Sequence, residues 1–210
     1  LKSKIDKSVF PGLQGGPHNN QIAAVAVALK EASSDTFKDY IRQVKANAHH
    51  LSTSLQKKGY VICTGGTDNH MLLWDCRSLK ISGLEVEKIL ERIDISVNKN
   101  TIIGDTSAIT PGGVRLGTPG MTTRGMAEKD MEMITDFIHE AINIVKNQSF
   151  IHPLLYHSFT AKNKKAYSLD AFVNALENEP VAHLLDSLKE RVTFFARSFP
   201  LPGKDPRTNR

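Results

Sequence analysis

Residues suited to binding an anion are concentrated in two stretches of the sequence. The first is FPGLQGGPHNN, residues 10–20, in which Gly15 and Gly16 precede an apolar run. Glycine has no Cβ and lets backbone N–H groups approach an anion, and a helix N-terminus adds partial positive charge. A tight turn with Pro17 near the first helical turn explains the same residues. Composition alone favours the turn, and neither G-x-G-x-x-G nor G-x-x-x-x-G-K is present.

The second stretch is NKNTIIGDTSAITPGGVRLGTPGMTTRG, residues 98–125, which is rich in glycine, threonine and proline. Such a long irregular segment inside a compact domain often carries function. Within it, Arg115 lies between Val114 and Leu116 in an apolar strand pattern. An arginine placed there needs an anionic partner, because burying it alone is costly. Its planar fork suits a carboxylate, so an internal salt bridge and a ligand carboxylate are both open.

Other reactive side chains show no catalytic or metal-binding pattern. Cys63 and Cys76 stand beside apolar residues in predicted strands, which favours free buried thiols over a disulfide or a metal site. The eight histidines have no metal-ligand spacing, and we expect surface or core histidines at positions 49, 50, 139, 152, 157 and 183. No nucleophile elbow or Cys–His signature is visible.

Composition indicates an ordinary globular protein of 210 residues, 40% hydrophobic and 23% charged. No apolar run approaches the roughly 20 residues needed to span a bilayer. The net charge is +5, and the basic residues are scattered apart from a cluster of Lys162, Lys164 and Lys165. Scattered lysines usually form a solvated surface, so the sequence argues against nucleic acid as a partner.

The elements that must position these residues follow from the spacing of apolar side chains. Ile22, Val25, Ala26 and Leu29 recur at helical spacing and predict a buried helix from Asn20 to about Ala32. Ser34 and Asp35 are suitable caps for a second helix. Its apolar stripe ends before Gly59 and comprises Phe37, Tyr40, Ile41, Val44, Ala48, Leu51 and Leu55.

Short strands and three more helical regions are predicted after Gly59. The strands are YVICT (Tyr60–Thr64), HMLLWDC (His70–Cys76), DISVN (Asp94–Asn98) and GGVRLGT (Gly112–Thr118). Helices are predicted after Ser82, over Ala127–Asn147, and over Leu169–Pro200 with an interruption at Glu179-Pro180, whereas Gln148–Ser168 is a polar connection. This order predicts a mixed α/β layer without doubly wound βαβ units.

Four segments resemble serine hydroxymethyltransferase in the same order and at about the same separations. They are FPGLQGGPHNNQIAAVAVALKEA, TGGTDNHMLLWDCR, VNKNTIIGD and SAITPGGVRLGTPGMTTRG. The resemblance runs from about Val9 to Asn147 and continues more loosely through VAHLLDSLKERVTFFARSFPLPG near the end. Residues 148–167 match poorly, as expected of a surface connection.

The resemblance implies a fold, a reaction and an assembly. The fold is that of the fold-type I (aspartate aminotransferase-like) pyridoxal-phosphate enzymes. Residues 1–50 would be the end of the large domain, and residues 51–210 the small α/β domain with a helical tail over 168–200. The reaction interconverts serine and tetrahydrofolate with glycine and 5,10-methylenetetrahydrofolate in one-carbon metabolism. Members work as homodimers or as tetramers built from dimers.

It also implies roles for individual residues. Gly15 and Gly16 would approach the cofactor phosphate of a neighbouring subunit. Arg115 would bind the carboxylate of the amino-acid substrate. Asn100 would contact the pterin ring of the folate, an edge that an amide can both donate to and accept from. The segment that would run past the same ring is Ser107, Ala108 and Ile109.

The sequence departs from the family pattern in what it lacks. No T-H-K-T stretch with the cofactor lysine is present, and we expect the chain to open just after that position. The aspartate and histidine that contact the cofactor ring, and the glutamate and tyrosines that flank the substrate, are also missing. We therefore expect a C-terminal portion with no catalytic residue, inactive by itself. A truncated paralogue serving as a binding or regulatory subunit of a full-length enzyme is the alternative. The cytoplasm is favoured, with mitochondrion and plastid open.

Overall fold

The computed structural model describes residues 1–151, 153–155 and 168–202. It contains two compact units, one of Leu1–Asp39 and one that begins at Tyr40. The predicted domain boundary after residue 50 stays a prediction. Outside the described residues lie most of the predicted connection 148–168 and, with it, His152, His157, Lys162, Lys164 and Lys165.

The N-terminal unit contains two helices joined by an irregular segment. Helix α1 spans Lys2–Lys7 and helix α2 spans Asn19–Ala32. The position of α2 agrees with the prediction, but its predicted burial is wrong. No residue of α2 is buried, and Ile22, Val25 and Leu29 are 58%, 58% and 65% exposed. Helical periodicity identifies an apolar face without identifying what covers it, and in this chain the face is open to solvent.

Helix α3 spans Asp35–Lys57 and continues into the second unit. As predicted, Ser34 caps it: the Ser34 hydroxyl accepts a hydrogen bond from the Phe37 amide at 3.2 Å. The later part of the apolar stripe is buried, whereas Phe37 and Ile41 are 39% and 37% exposed. The buried residues of the stripe are Val44, Ala48, Leu51 and Leu55.

Four short strands form one antiparallel sheet. They are β1 (Val61–Ile62), β2 (Met71–Asp75), β3 (Asn98–Asn100) and β4 (Gly113–Gly117). Their order in the sheet is β1-β2-β4-β3, and every neighbouring pair is antiparallel. The sheet is therefore not doubly wound, which confirms the predicted mixed α/β layer.

Two predicted strands are shorter or shifted, for local reasons. The strand predicted at Asp94–Asn98 begins only at Asn98, because Asp94 has a φ of 61° and the Ile95 amide returns to the Leu90 carbonyl at 2.9 Å. These residues finish the preceding helix instead. Likewise β1 stops at Ile62, because Thr64 adopts a φ of 62° inside a tight turn.

Helices with described bounds follow or flank the sheet. They are α4 (Gly83–Arg92), α5 (Pro119–Thr123), α6 (Glu128–Lys146), α7 (Leu169–Leu176) and α8 (Val181–Arg197). The helix predicted over Ala127–Asn147 and the interruption before residue 181 are confirmed. None of the described helices is long and apolar enough to cross a membrane.

One core joins the inner face of the sheet to these helices. Its largest member is Trp74, which is 0% exposed and whose ring centroid lies 4.7 Å from that of Tyr60. The core draws on β2, β4 and the helices, as shown by the buried residues Leu72, Val114, Leu116, Ile89, Leu90, Ile138, Ile142, Phe172 and Leu188. The opposite face of the sheet does not enter this core and carries the exposed Arg115.

Candidate functional site

Arg115 stands in the middle of β4 on the face of the sheet that points away from the core. Successive residues of a strand point to opposite faces. Val114 and Leu116 are accordingly 0% and 7% exposed, whereas Arg115 is exposed. This alternation explains how an arginine fits between two buried apolar residues without burying its charge.

In the part of the chain that the structure describes, Arg115 has no carboxylate within ion-pair distance and no hydrogen bond. Other arginines are engaged: Arg77 contacts Asp75 at 2.8 Å and Arg92 contacts Glu177 at 2.8 Å. The internal salt bridge is therefore the wrong alternative within the described residues. Because no described group forms a hydrogen bond or ion pair with the Arg115 guanidinium, it is available to an external anion.

The register of the sheet brings Asn100 next to this arginine. Asn98 is paired directly with Arg115, and Asn100 is paired with Gly113. Because residues two apart share a face, Asn98 and Asn100 lie on the same outer face as Arg115. Asn100 is half-buried, and its side-chain NH₂ donates to the Thr101 carbonyl at 2.8 Å.

Arg115 and Asn100 line one cleft of about 710 Å³. Its other walls are His49 on α3, the outer side of β2 and the connection between β1 and β2. Arg115 and Asn100, which were predicted from the sequence as binding residues, therefore line the same cleft. The connection and His49 complete the cleft, and neither of them was assigned to a site from the sequence.

The connection from Cys63 to Asn69 is shaped by its own side chains. Thr64 and Gly65 adopt φ values of 62° and 73°. The Thr67 hydroxyl contacts the Met71 carbonyl, and the Asn69 side chain accepts from the Met71 amide at 2.9 Å. These bonds join the connection to the first residue of β2. The sequence signal for it is the motif TGGTDN, which is part of the segment TGGTDNHMLLWDCR quoted above and was given no site role.

Ser107, Ala108 and Ile109 are not among the residues that line this cleft. They lie on a surface loop between β3 and β4, where the Ile109 amide donates to the Ser107 hydroxyl at 3.2 Å. Ile109 is 77% exposed. An exposed apolar residue beside a hydroxyl suits a flat, partly polar ring, but the structure does not bring these residues together with Arg115.

A second cleft, of about 790 Å³, also reaches Arg115. Its lining is mainly apolar and includes Met121, Ile134 and Phe195. Arg124, also in its lining, donates to the Phe199 carbonyl at 2.9 Å. Arg115 thus lines both this apolar cleft and the first one, which we call the polar cleft because Thr67, Asp68, Asn69 and Asn100 contribute to its lining.

Two titratable groups near the polar cleft, Cys63 and Asp75, have shifted pKa values. Burial, and then the charge of Asp75, raise the pKa of the half-buried Cys63 thiol, which therefore stays protonated near neutral pH. The hydrogen bonds from Arg77 lower the pKa of Asp75. A protonated thiol is a poor nucleophile, so the arrangement supports binding and not covalent attack by Cys63. Cys63 and Cys76 are both free.

The described residues contain no group of three or more histidine, cysteine or acidic residues placed to hold a metal ion. Four of the histidines that we expected at the surface or in the core are described. His49 and His183 are exposed, His50 contacts Glu132 at 3.0 Å, and His139 is half-buried.

Gly15 and Gly16 lie in the N-terminal unit, just before α2. Both are exposed, and a Cβ built on either would meet nothing within 4 Å. Neither glycine is therefore required by packing within the chain. His18, the N-cap residue of α2, makes no side-chain capping bond, so the amides of Asn19 and Asn20 remain available, whereas the Gln21 amide donates to the His18 carbonyl at 3.0 Å.

Comparison with known proteins gives one consistent result. A family model described as serine hydroxymethyltransferase matches residues 1–138. The chain is 43% identical over 205 residues to serine hydroxymethyltransferase of Caenorhabditis elegans, covering 98% of this chain and 38% of that protein. It is 45% identical to serine hydroxymethyltransferase 4 of Arabidopsis thaliana and 46% identical to the cytosolic enzyme of Oryctolagus cuniculus, covering 97% of this chain and 40% of each.

The chain thus spans about two fifths of the length of these relatives, at 38–40%. Its mixed α/β architecture with a small antiparallel sheet agrees with part of the fold-type I domain arrangement. The chain belongs to the serine hydroxymethyltransferase family, whose members are fold-type I pyridoxal-phosphate enzymes.

Proposed function

We propose that this chain contributes to the interconversion of serine and glycine with tetrahydrofolate, as the part that binds the amino-acid carboxylate and contacts the folate. The observation that carries the proposal is Arg115 on the outer face of the sheet, which has no partner among the described residues and lies in a cleft shared with Asn100. A cation held at a polar cleft without an internal partner is suited to an anionic ligand.

Arg115 would fix the substrate by its carboxylate. Two parallel hydrogen bonds from a planar guanidinium orient a carboxylate as well as attract it. Because β4 is paired on both sides, with β2 and with β3, the Cα of Arg115 has a fixed position. The chain's contribution at this point is binding and orientation, and no proton transfer is assigned to it.

Asn100 and the Ser107–Ile109 loop would contact the folate. The Asn100 amide can both donate to and accept from the edge of a pterin. The loop offers the Ser107 hydroxyl beside the exposed side chain of Ile109. These assignments rest on the family motifs VNKNTIIGD and SAITPGGVRLGTPG in the sequence.

The residues around Gly15 and Gly16 fit the phosphate end of pyridoxal phosphate. Open space beside Gly15 and Gly16, together with the uncapped start of α2, would accommodate a phosphate on backbone amides. We propose that this phosphate belongs to a neighbouring subunit of a homodimer or tetramer. No described lysine lines the cleft of Arg115. When bound, the cofactor supplies the electron sink for chemistry at the amino-acid α-carbon.

Activity of the protein, purified with the subunits that accompany it, tests the proposal. We expect serine to yield glycine in a tetrahydrofolate-dependent reaction. Arg115→Ala should lower kcat/KM for serine about 100-fold, because a charge-assisted bidentate contact is lost. Failure of the wild-type assembly to cleave serine would overturn the proposal, and so would undiminished cleavage by the Arg115→Ala variant.

A second candidate, a non-catalytic binding subunit, is favoured by the exposed apolar face of α2. Such a subunit would pair with a full-length member of the family and offer its glycine segment across the interface. Co-purification with a full-length enzyme whose turnover is indifferent to Arg115→Ala would support it. Absence of any association would contradict it. For either candidate we propose a cytoplasmic location.

A further inference from the structure

The loop that carries Ser107, Ala108 and Ile109 is closed at its base by one carboxylate. The Oδ2 atom of Asp105 accepts hydrogen bonds from the Ile102 amide at 2.9 Å and from the Gly112 amide at 2.7 Å. These two donors lie at opposite ends of the loop. The Asp105 side chain is only 10% exposed, so the contacts are shielded from water.

Arg77 holds the same base from the other side. Its guanidinium donates to the Ile103 carbonyl at 3.1 Å and lies 4.0 Å from Asp105. Asp75 fixes the guanidinium through two hydrogen bonds, of 3.0 Å from Nε and 2.8 Å from Nη2. We call Asp105 and Arg77 together the clamp. Through Asp75, the clamp connects the loop to the end of β2.

Close packing leaves this arrangement little freedom. A Cβ built on Gly112 would come within 2.9 Å of both the Arg77 side chain and the Asp105 carboxylate. Gly104 has a φ of 94°, which L side chains rarely adopt. Beyond the base, the chain is fixed to the core elements, since the Cys76 amide donates to the Gly112 carbonyl at 2.9 Å. The base of the loop is thus continuous with the start of β4.

We propose that Asp105 and Arg77 are positioning residues of the folate site. They hold the Ser107–Ile109 segment at a fixed place relative to β4 and Arg115, so that a reduced folate meets an ordered loop. The folate part of this inference rests on the proposed function. Neither residue touches the reacting atoms, and the effect passes through the loop.

Amide hydrogen exchange, followed by NMR on the full chain, tests whether the clamp orders the loop. In Asp105→Ala the amides of Ile102 and Gly112 should exchange about ten-fold faster, because their charged acceptor is gone. Asp105→Asn should show a smaller increase, since an amide oxygen still accepts but carries no charge. The Val114 amide should be unaffected in both variants.

Glu177→Gln is the matched control. Its carboxylate also accepts two hydrogen bonds, but from the Arg92 guanidinium, at 2.8 and 3.1 Å, and it joins α4 to α7. It should leave exchange at Ile102 and Gly112 unchanged. Equal protection in Asp105→Ala and wild type would overturn the proposal. If Asp105→Ala does not fold, the same comparison is made with Asp105→Asn.

The KM values of the active assembly test the link to folate. Asp105→Asn should raise the KM for tetrahydrofolate several-fold and leave the KM for serine unchanged. Simple destabilisation would instead lower the amount of active enzyme and change neither KM. Faster exchange with both KM values unchanged would overturn the inference. Absence of wild-type turnover would overturn the proposed function and the folate link together, while the exchange data would still decide whether the clamp orders the loop.

Discussion

At the scale of single residues, Arg115 differs in its surroundings from Arg77, Arg92 and Arg124. Arg77 and Arg92 are held by carboxylates, and Arg124 donates to backbone carbonyls at the end of α8. Arg115 has no such contact among the described residues. Its interest was predictable from the sequence, because a charge interrupts an apolar strand. Its exposure also follows from the sequence, because Arg115 alternates with the apolar Val114 and Leu116 and so faces away from the core that those two enter.

Substitution by alanine should lower the free energy of unfolding at Gly83 but not at Gly16. A Cβ on Gly83 would lie 1.9 Å from the Gly113 carbonyl oxygen, whereas one on Gly16 would meet nothing within 4 Å. We expect Gly83→Ala to lower the free energy of unfolding by about 1–3 kcal/mol and Gly16→Ala to leave it nearly unchanged. Urea denaturation measures both. Equal losses would contradict this account of why each glycine is present.

The polar cleft shows what residue patterns miss. Asn100 and Arg115 were predicted as site residues, whereas the Cys63–Asn69 connection was given no site role although TGGTDN is part of a segment that resembles the family. Its shape depends on the left-handed backbone of Thr64 and on side-chain bonds of Thr67 and Asn69. Such contacts depend on the tertiary arrangement and leave only a weak signal in the sequence.

At the scale of elements, helix α4 is the part that the sequence predicts most completely. Ser82 was predicted as its cap, and a full capping box is formed: the Ser82 hydroxyl accepts from the Glu85 amide, and the Glu85 carboxylate accepts from the Ser82 amide at 2.7 Å. The same region also contains the main error. The turn that ends α4 extends through Ile95, so the next strand begins later than its apolar pattern suggested.

Removing the buried cap should cost more than removing an exposed one. Ser82 is 4% exposed, whereas Ser168, which caps α7, is exposed. We expect Ser82→Ala to lower the free energy of unfolding by about 1–2 kcal/mol, and Ser168→Ala by less. Thermal and urea denaturation of the two variants provide the comparison, and a larger loss for Ser168→Ala would contradict it.

The contact between α6 and Tyr60 should make stability depend on pH. His139 on α6 lies 2.9 Å from the Tyr60 hydroxyl and 3.0 Å from Asn143, with Lys58 and Asp136 nearby. Burial, and then the charge of Lys58, lower the pKa of His139 from its usual 6.5. The unfolded chain then binds more protons just below pH 6.5, so the free energy of unfolding should fall as pH decreases through that range.

Urea denaturation between pH 7.5 and pH 5 measures this dependence. His139→Gln should flatten the slope just below pH 6.5, because glutamine does not titrate there. His183→Gln is the control, because it removes an exposed histidine and tests whether the loss of any histidine changes the slope. An unchanged slope in His139→Gln would show that the pH dependence has another source.

At the scale of the whole molecule, the antiparallel sheet and the helices around it form a well-packed core, while α2 has no buried residue. The sequence predicted both the helix and its apolar face. It could not predict that the face is uncovered, because periodicity is the same whether the covering surface belongs to the same chain or to another. The exposed face agrees with the proposal that the protein works as an assembly.

Association through α2 should depend on its apolar side chains. We expect the chain to self-associate, or to bind a full-length family member, in sedimentation velocity experiments. Ile22→Ser combined with Leu29→Ser should weaken that association, because each residue is more than half exposed, at 58% and 65%. The control Lys30→Ser changes a polar residue of the same helix and should have little effect. Association that is insensitive to the double substitution would exclude this face as the interface.

The central claim is that Arg115 binds the carboxylate of the amino-acid substrate, and Arg115→Lys tests it most directly in the active assembly. Lysine keeps the charge but replaces the two-pronged fork with a single point. The account predicts that the KM for serine rises about ten-fold or more. The KM for tetrahydrofolate and the free energy of unfolding should stay as in the wild type, since Arg115 has no partner among the described residues. An unchanged KM for serine would contradict the claim.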